Sequence, residues 1–180
     1  MQITIDLYNR VLVQDSTIIS LPVKLFDFFS GVSNGSSKLC NARIQGVYDI
    51  INEEFISFSI DSYSKNDLVA TPELQIKQGD LTLRDRGYFI IDEIQRHVDI
   101  GADCIYRYKN KVALLDPITE KPINLIEMLR KYGTLDINIL LNNNNKTKAR
   151  LVAMPVSEEI ANTRRMKAKK EKKLYQVLNI

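Results

Sequence analysis

Asp15 and Asp85 are the residues of this chain best suited to chemistry. Asp15 lies within Val11-Leu-Val-Gln-Asp-Ser-Thr-Ile-Ile-Ser-Leu-Pro22, and Asp85 closes the run Gly79-Asp-Leu-Thr-Leu-Arg-Asp85. Both runs read as strands. Each therefore puts a carboxylate on an otherwise apolar β element, where an unpaired charge is costly. Two such carboxylates brought together repel unless a cation joins them. Mg2+ or Mn2+ suits that role, because such an ion takes oxygen ligands and keeps water and phosphate in its remaining positions. Two ions held this way activate an attacking oxygen and stabilise a leaving oxygen in an in-line displacement at phosphorus. The plainer alternatives are a solvated edge-strand acid for Asp15 and a helix N-cap near Tyr88 for Asp85.

Candidate phosphate and base contacts surround these acids. Arg86 and Tyr88 follow Asp85 directly, with Gly87 between them as a place for a sharp turn. Tyr106-Arg-Tyr-Lys109 interleaves aromatics and cations, and strand alternation puts Arg107 and Lys109 on one face. Arg164, Arg165, Lys169 and Lys170 belong to a segment, 164–173, with seven basic residues and one acid. The whole chain is only +3, so the remainder is net acidic and the basicity is local. A solvated helix face is the competing reading of that run. Asp80 reads as a turn residue, Asp67 as a helix cap and His97 as an ordinary helix residue.

The elements that must position these groups follow from periodicity. Arg10 to Leu21 is β-branched and ends at Pro22. A short helix is expected over 23–29. Residues 42–51 and 53–62 form a hairpin, with Ile56, Phe58 and Ile60 alternating against polar residues. A helix is expected from Asn66 or Asp67 through Ile76, broken by Gly79, and the next strand runs from Leu81 to Asp85. Residues 89–98 carry helical periodicity and stop at Gly101. A strand is expected over 103–108 and a helix over 125–131, ended by Gly133. Residues 135–141 and 148–155 pair across Asn142–Asn145, a run suited to turns with positive φ. Ser157 caps a last helix through the basic segment. This order of elements fits an α/β domain.

Composition bounds the rest. At 180 residues and 44% hydrophobic, the chain can bury a sizeable core. It has no apolar run of membrane-spanning length and no signal-like N-terminus, so no membrane partner is expected. Two isolated cysteines, Cys40 and Cys104, and a single histidine argue against a zinc site and fit a reducing cytoplasm. Phosphate loops and hydrolase nucleophile motifs are absent from the sequence.

The residues Gln14-Asp-Ser-Thr17, Val47-Tyr-Asp49, Lys65-Asn-Asp67, Gly79-Asp80 and Asp85-Arg-Gly-Tyr88 occur in this order, with 70 residues from Asp15 to Asp85. In that arrangement the chain resembles DDE-type insertion-sequence transposases of the IS-four-like group, over about Tyr8 to Lys173. The resemblance implies an RNase H-like mixed sheet with flanking helices, Asp15 on its first strand and Asp85 on its fourth. It implies residues 1–110 as the first part of the catalytic core, 111–156 as the start of a β-rich insertion and 157–180 as a basic helical segment. It implies DNA as partner (transposon ends and target), Mg2+ or Mn2+ as cofactor, a basic contact at Arg107, and a dimer as an assembly open to the full-length protein. The family's third acid lies in a Tyr/Arg/Glu/Lys-spaced helix that has no match here. The expected chain is thus an internal piece of a transposase, inactive by itself. A catalytically dead nucleic-acid-binding remnant and an α/β interaction domain are the alternatives.

Overall fold

The computed structural model describes residues 7–31, 39–64, 74–109 and 112–170, the side chains of 167–170 excepted. The chain divides into two compact units, Met1–Asn110 and Lys111–Ile180.

The first unit is a five-stranded mixed sheet. Its strands are β1 (Arg10–Ser20), β2 (Asn41–Asp49), β3 (Glu54–Ser62), β4 (Asp80–Arg84) and β5 (Asp103–Tyr106), in spatial order β3-β2-β1-β4-β5. The first three strands form an antiparallel meander, while β4 and β5 run parallel to β1. The β2–β3 turn is braced by Asp49, which is fully buried. Its carboxylate accepts hydrogen bonds from the N–H groups of Val11 and Ile51 and from the Asn52 side chain. Burial works to raise the Asp49 carboxyl, but those donors outweigh it and hold the group below the ordinary carboxylate value.

The turn into β4 requires Gly79. Its φ is +78°, and a Cβ there would stand 2.5 Å from the Asn9 side-chain nitrogen. Helix α1 (Ile91–Ile100) begins with Asp92 and Glu93, whose charge suits a helix N-terminus, and ends on the left-handed Gly101. The connecting segment at 74–77 is irregular, not helical as expected. Leu74 and Ile76 instead pack onto Leu12 and Val47, with Ile56 and Ile100 against them, as the core of this unit. Long-range burial overrides the local helical pattern there. The Asn66–Asp67 cap and the Lys65-Asn-Asp67 motif lie outside the described residues. The expected 23–29 helix is a single 3-10 turn, Val23–Leu25, opened by Pro22.

The second unit carries a three-stranded antiparallel sheet, β6 (Leu114–Leu115), β7 (Leu135–Leu141) and β8 (Lys148–Ala153), in that order. Helix α2 (Leu125–Tyr132) is capped by Asn124, whose oxygen accepts from the Glu127 N–H at 3.3 Å. Helix α3 (Glu158–Lys170) starts at Ser157, whose hydroxyl accepts from the Ile160 N–H at 3.4 Å. In the β7–β8 turn the positive φ falls on Lys146, not on an asparagine. Asn143 is used otherwise: its side chain brackets Thr147 through both backbone and hydroxyl. Among the described residues, no helix is long and apolar enough to cross a membrane.

Candidate functional site

The parallel strands β1, β4 and β5 are in a register that pairs Gln14 with Arg84 and Arg84 with Tyr106. The next residue on each strand path is Asp15, Asp85 and Arg107. These three therefore stand side by side where β4 and β5 end against the middle of the longer β1. Neighbouring strands are about 4.8 Å apart, so the carboxylates of Asp15 and Asp85 can reach one cation. Alternation places the row on one face of the sheet and Gln14, Arg84 and Tyr106 on the other.

Asp15 is exposed, and its carboxylate accepts the N–H of Ser16 at 2.8 Å. Across from it on β2 stands Gly46, which leaves room for the Phe55 ring. Tyr48, Phe55 and Phe58 form an edge-to-face aromatic cluster beside it on the same face. Asp85 is also exposed and precedes a 3-10 turn, Arg86–Tyr88, without capping it by a side-chain hydrogen bond. Among the described residues it pairs with Arg107, with 3.7 Å between guanidinium and carboxylate. Two hard carboxylates, open to solvent, form a donor pair suited to a divalent cation with water in its other positions. Among the described residues there is no group of three His, Cys, Asp or Glu side chains able to hold a metal ion.

Arg86 is exposed on the 3-10 turn. Gly87 is not demanded by shape: its φ is not positive, and a Cβ there would meet nothing within 4 Å. Tyr88 is half-buried, with the Arg84 guanidinium 6.0 Å from its ring centre. Strand β5 stops at Tyr106, yet exposure still alternates beyond it, Arg107 and Lys109 outward, Tyr106 and Tyr108 half-buried. On α3, Arg164 is exposed, whereas Arg165 is drawn to Glu158 and Asn162. Lys169 and Lys170 close that helix, and their side chains lie outside the described residues.

Sequence reasoning missed the polar layer beneath the acids. Arg84 is buried behind Asp85, donating to the Tyr106 hydroxyl at 3.2 Å and standing 3.6 Å from Glu93. Gln14 and Gln45 are 2% and 1% exposed, and neither side-chain amide has a hydrogen-bond partner among the described residues. His97 is fully buried. It packs onto β4, one ring nitrogen 2.6 Å from the Glu93 carbonyl, the other 3.1 Å from the Thr82 hydroxyl. Burial, then the nearby Arg84 charge, pushes the imidazole below its ordinary value, against the pull of the Glu93 carbonyl. Asp80 is more than a turn residue. It is 1% exposed and carries a two-point ion pair with Arg10, 70 positions earlier, while also accepting the Lys77 N–H. Polar side chains such as these look solvent-facing in the sequence, and only the sheet order shows that they are buried and names their partners.

No model of a known protein family matches the chain. Individual proteins do. The transposase for insertion sequence element IS231E of Bacillus thuringiensis subsp. finitimus is 26% identical over 144 residues, 77% of this chain and 30% of that protein. The IS231B transposase of B. thuringiensis subsp. berliner is 27% identical over 140 residues, 75% of this chain and 29% of its own length. The IS1151 transposase of Clostridium perfringens is 27% identical over 173 residues, 84% of this chain and 36% of that protein. The chain spans about a third of the length of these curated relatives. Over most of its length, then, this chain is similar to insertion-sequence transposases, the class to which the motifs around Asp15 and Asp85 pointed.

Proposed function

We propose that the chain is the first part of a DDE-type transposase core, built on an RNase H-like sheet and acting on DNA. Residues 1–110 are the core segment, 111–156 the start of a β-rich insertion and 157–180 a basic segment that opens with helix α3. The observation that carries this reading is the adjacency of Asp15, in the middle of β1, and Asp85, just past the end of the parallel β4, within the order β3-β2-β1-β4-β5. The similarity to transposases supports it independently.

In this reading Asp15 and Asp85 hold Mg2+ or Mn2+ through carboxylate oxygens, with Asp15 kept in place by the Ser16 N–H. When bound, the ion supplies charge stabilisation for phosphodiester cleavage and strand transfer. Arg86, Arg107 and Lys109 take DNA phosphates around the acids, and Tyr88, half-buried on the turn after Asp85, adds a contact to the DNA. Arg164, Arg165, Lys169 and Lys170 add a sequence-independent contact. Two carboxylates hold an ion more loosely than three, because each lost anionic ligand leaves another position to water. By itself the 180-residue chain binds metal and DNA without transposing.

The test is a Mg2+ or Mn2+ titration together with a nicking assay on DNA carrying element ends. Metal binding that disappears in Asp15→Ala and in Asp85→Ala, without nicking, is expected. Binding that survives both substitutions would sink the site. The absence of a three-ligand group among the described residues favours a second reading, a nucleic-acid-binding remnant without catalysis. DNA binding with no metal binding at all would select it.

A further inference from the structure

The Asp15–Asp85–Arg107 row holds a cation of its own. Arg107 reaches Asp85 across β4 and β5, guanidinium to carboxylate 3.7 Å, and both side chains are well exposed, 65% and 60%. At that distance the pair is electrostatic and not a hydrogen bond. The second guanidinium nearby, Arg84, is on the opposite face and committed to Tyr106 and Glu93. Among the described residues, Arg107 is therefore the cation paired with Asp85 on the side of the sheet where Asp15 also stands. A divalent cation and this guanidinium compete for the same carboxylate.

We propose that Arg107 is an exchangeable counter-ion. It occupies Asp85 in the metal-free chain and is displaced when a divalent ion is taken up by Asp15 and Asp85. The inference rests on the metal reading above and adds its regulation. Displacement is easy because an exposed ion pair is weak. It also frees a planar guanidinium at the edge of the site only once the ion is in place.

The chemistry sets the size of the effect. Removing a competitor of this strength tightens metal binding by about two- to fivefold. The experiment is a Mn2+ titration of the full chain, followed by electron paramagnetic resonance, for wild type, Arg107→Gln, Arg107→Lys and Lys109→Gln. The Arg107→Gln variant is expected to bind Mn2+ about two- to fivefold more tightly. Arg107→Lys keeps the competitor and stays near wild type. Lys109→Gln removes an equal charge from the same strand path and gains clearly less, which separates exchange from a general field. In parallel, Mg2+ shifts the Arg107 Nε–H resonance of the wild type, and Asp85→Asn shows the displaced position without metal.

Unchanged or weaker binding in Arg107→Gln overturns the exchange, as does an equal gain in Lys109→Gln. If Mn2+ binding is lost in Asp85→Asn but indifferent to Arg107, only the exchange fails. If the wild type binds no Mn2+, or Asp85→Asn binds as well as wild type, the metal site fails and the exchange with it.

Discussion

Asp15 and Asp85 each lie one residue beyond the pairing of Gln14 with Arg84 on parallel strands β1 and β4. Seventy residues of chain are thereby closed into two carboxylates on adjacent strand paths, where the β1–β4 pairing stops. Without a cation between them, like charges at that spacing repel. Asp15→Asn is therefore expected to leave the fold intact and to raise the metal-free melting temperature slightly, by the equivalent of a few tenths of a kcal/mol. The same variant should lose the rise in melting temperature that Mg2+ or Mn2+ gives the wild type. Thermal unfolding with and without metal checks both. A metal-induced rise that persists in the variant contradicts the assignment.

The ion pairs of the two units should respond differently to substitution. Asp80 is buried and binds Arg10 at two points, and Arg10 also donates to the Gln75 carbonyl. Asp80→Ala leaves a largely buried guanidinium without its anion, at a cost of about 3 kcal/mol. The Asp136–Arg150 pair on β7 and β8 has equally short hydrogen bonds, but both side chains are half or more exposed. Asp136→Ala is expected to cost far less, because water replaces the partner. Urea unfolding of the two variants compares them directly, and equal losses would contradict the argument.

How far the sequence reached depends on the range of the interaction involved. The strands carrying Asp15 and Asp85, the stops at Gly101 and Gly133, the cap at Ser157 and the β7–β8 hairpin follow from residues within a few positions of one another. The 74–77 segment did not, because Leu74 and Ile76 are fixed by Leu12 and Val47, far away in sequence. The Arg10 partner of Asp80 and the Arg107 partner of Asp85 were hidden for the same reason. Both need the order β1-β4-β5, which periodicity does not give. Residue type pointed to Asp15 and Asp85, and the motif order singled them out. It said nothing of Gln14 and Arg84 beneath them, since a polar residue inside a strand looks solvent-facing until its face is known.

His97 makes the first unit sensitive to mild acid. Its burial lowers the imidazole below the ordinary value of about 6.5. The folded state therefore resists a proton that the unfolded chain accepts. Stability is full above the unfolded value and falls as pH drops through about 6.5 toward the lowered folded value. Below that folded value this loss is complete. Protonation would also oppose the Thr82 contact if the Thr82 hydroxyl donates to the ring. His97→Gln is expected to be less stable at pH 8 but to lack this segment of the pH dependence. Urea unfolding at several values between pH 5 and 8 checks it. An unchanged slope would move the sensitivity elsewhere.

The buried amides of Gln14 and Gln45 are expected to cost stability. Register puts Gln45 diagonally across from Gln14 on the same sheet face, with Ser59 beside Gln45 and Arg84 beside Gln14. The Ser59 hydroxyl and the Arg84 Nε are also without hydrogen-bond partners among the described residues. A buried amide with no partner carries a desolvation cost of about 1–3 kcal/mol. Met has nearly the shape of Gln and no such cost, and it adapts to irregular packing. Gln45→Met, whose side chain lies on the sheet face opposite to Asp15, should therefore be neutral or stabilising in urea unfolding. Gln14→Met should be stabilising as well, but it also alters the residue that precedes Asp15 on β1. If Gln14 helps set the position of Asp15, that variant will gain stability while weakening Mn2+ binding, and Gln45→Met will change stability alone. A loss of more than about 1 kcal/mol in Gln45→Met would mean that its amide is satisfied and works for the fold.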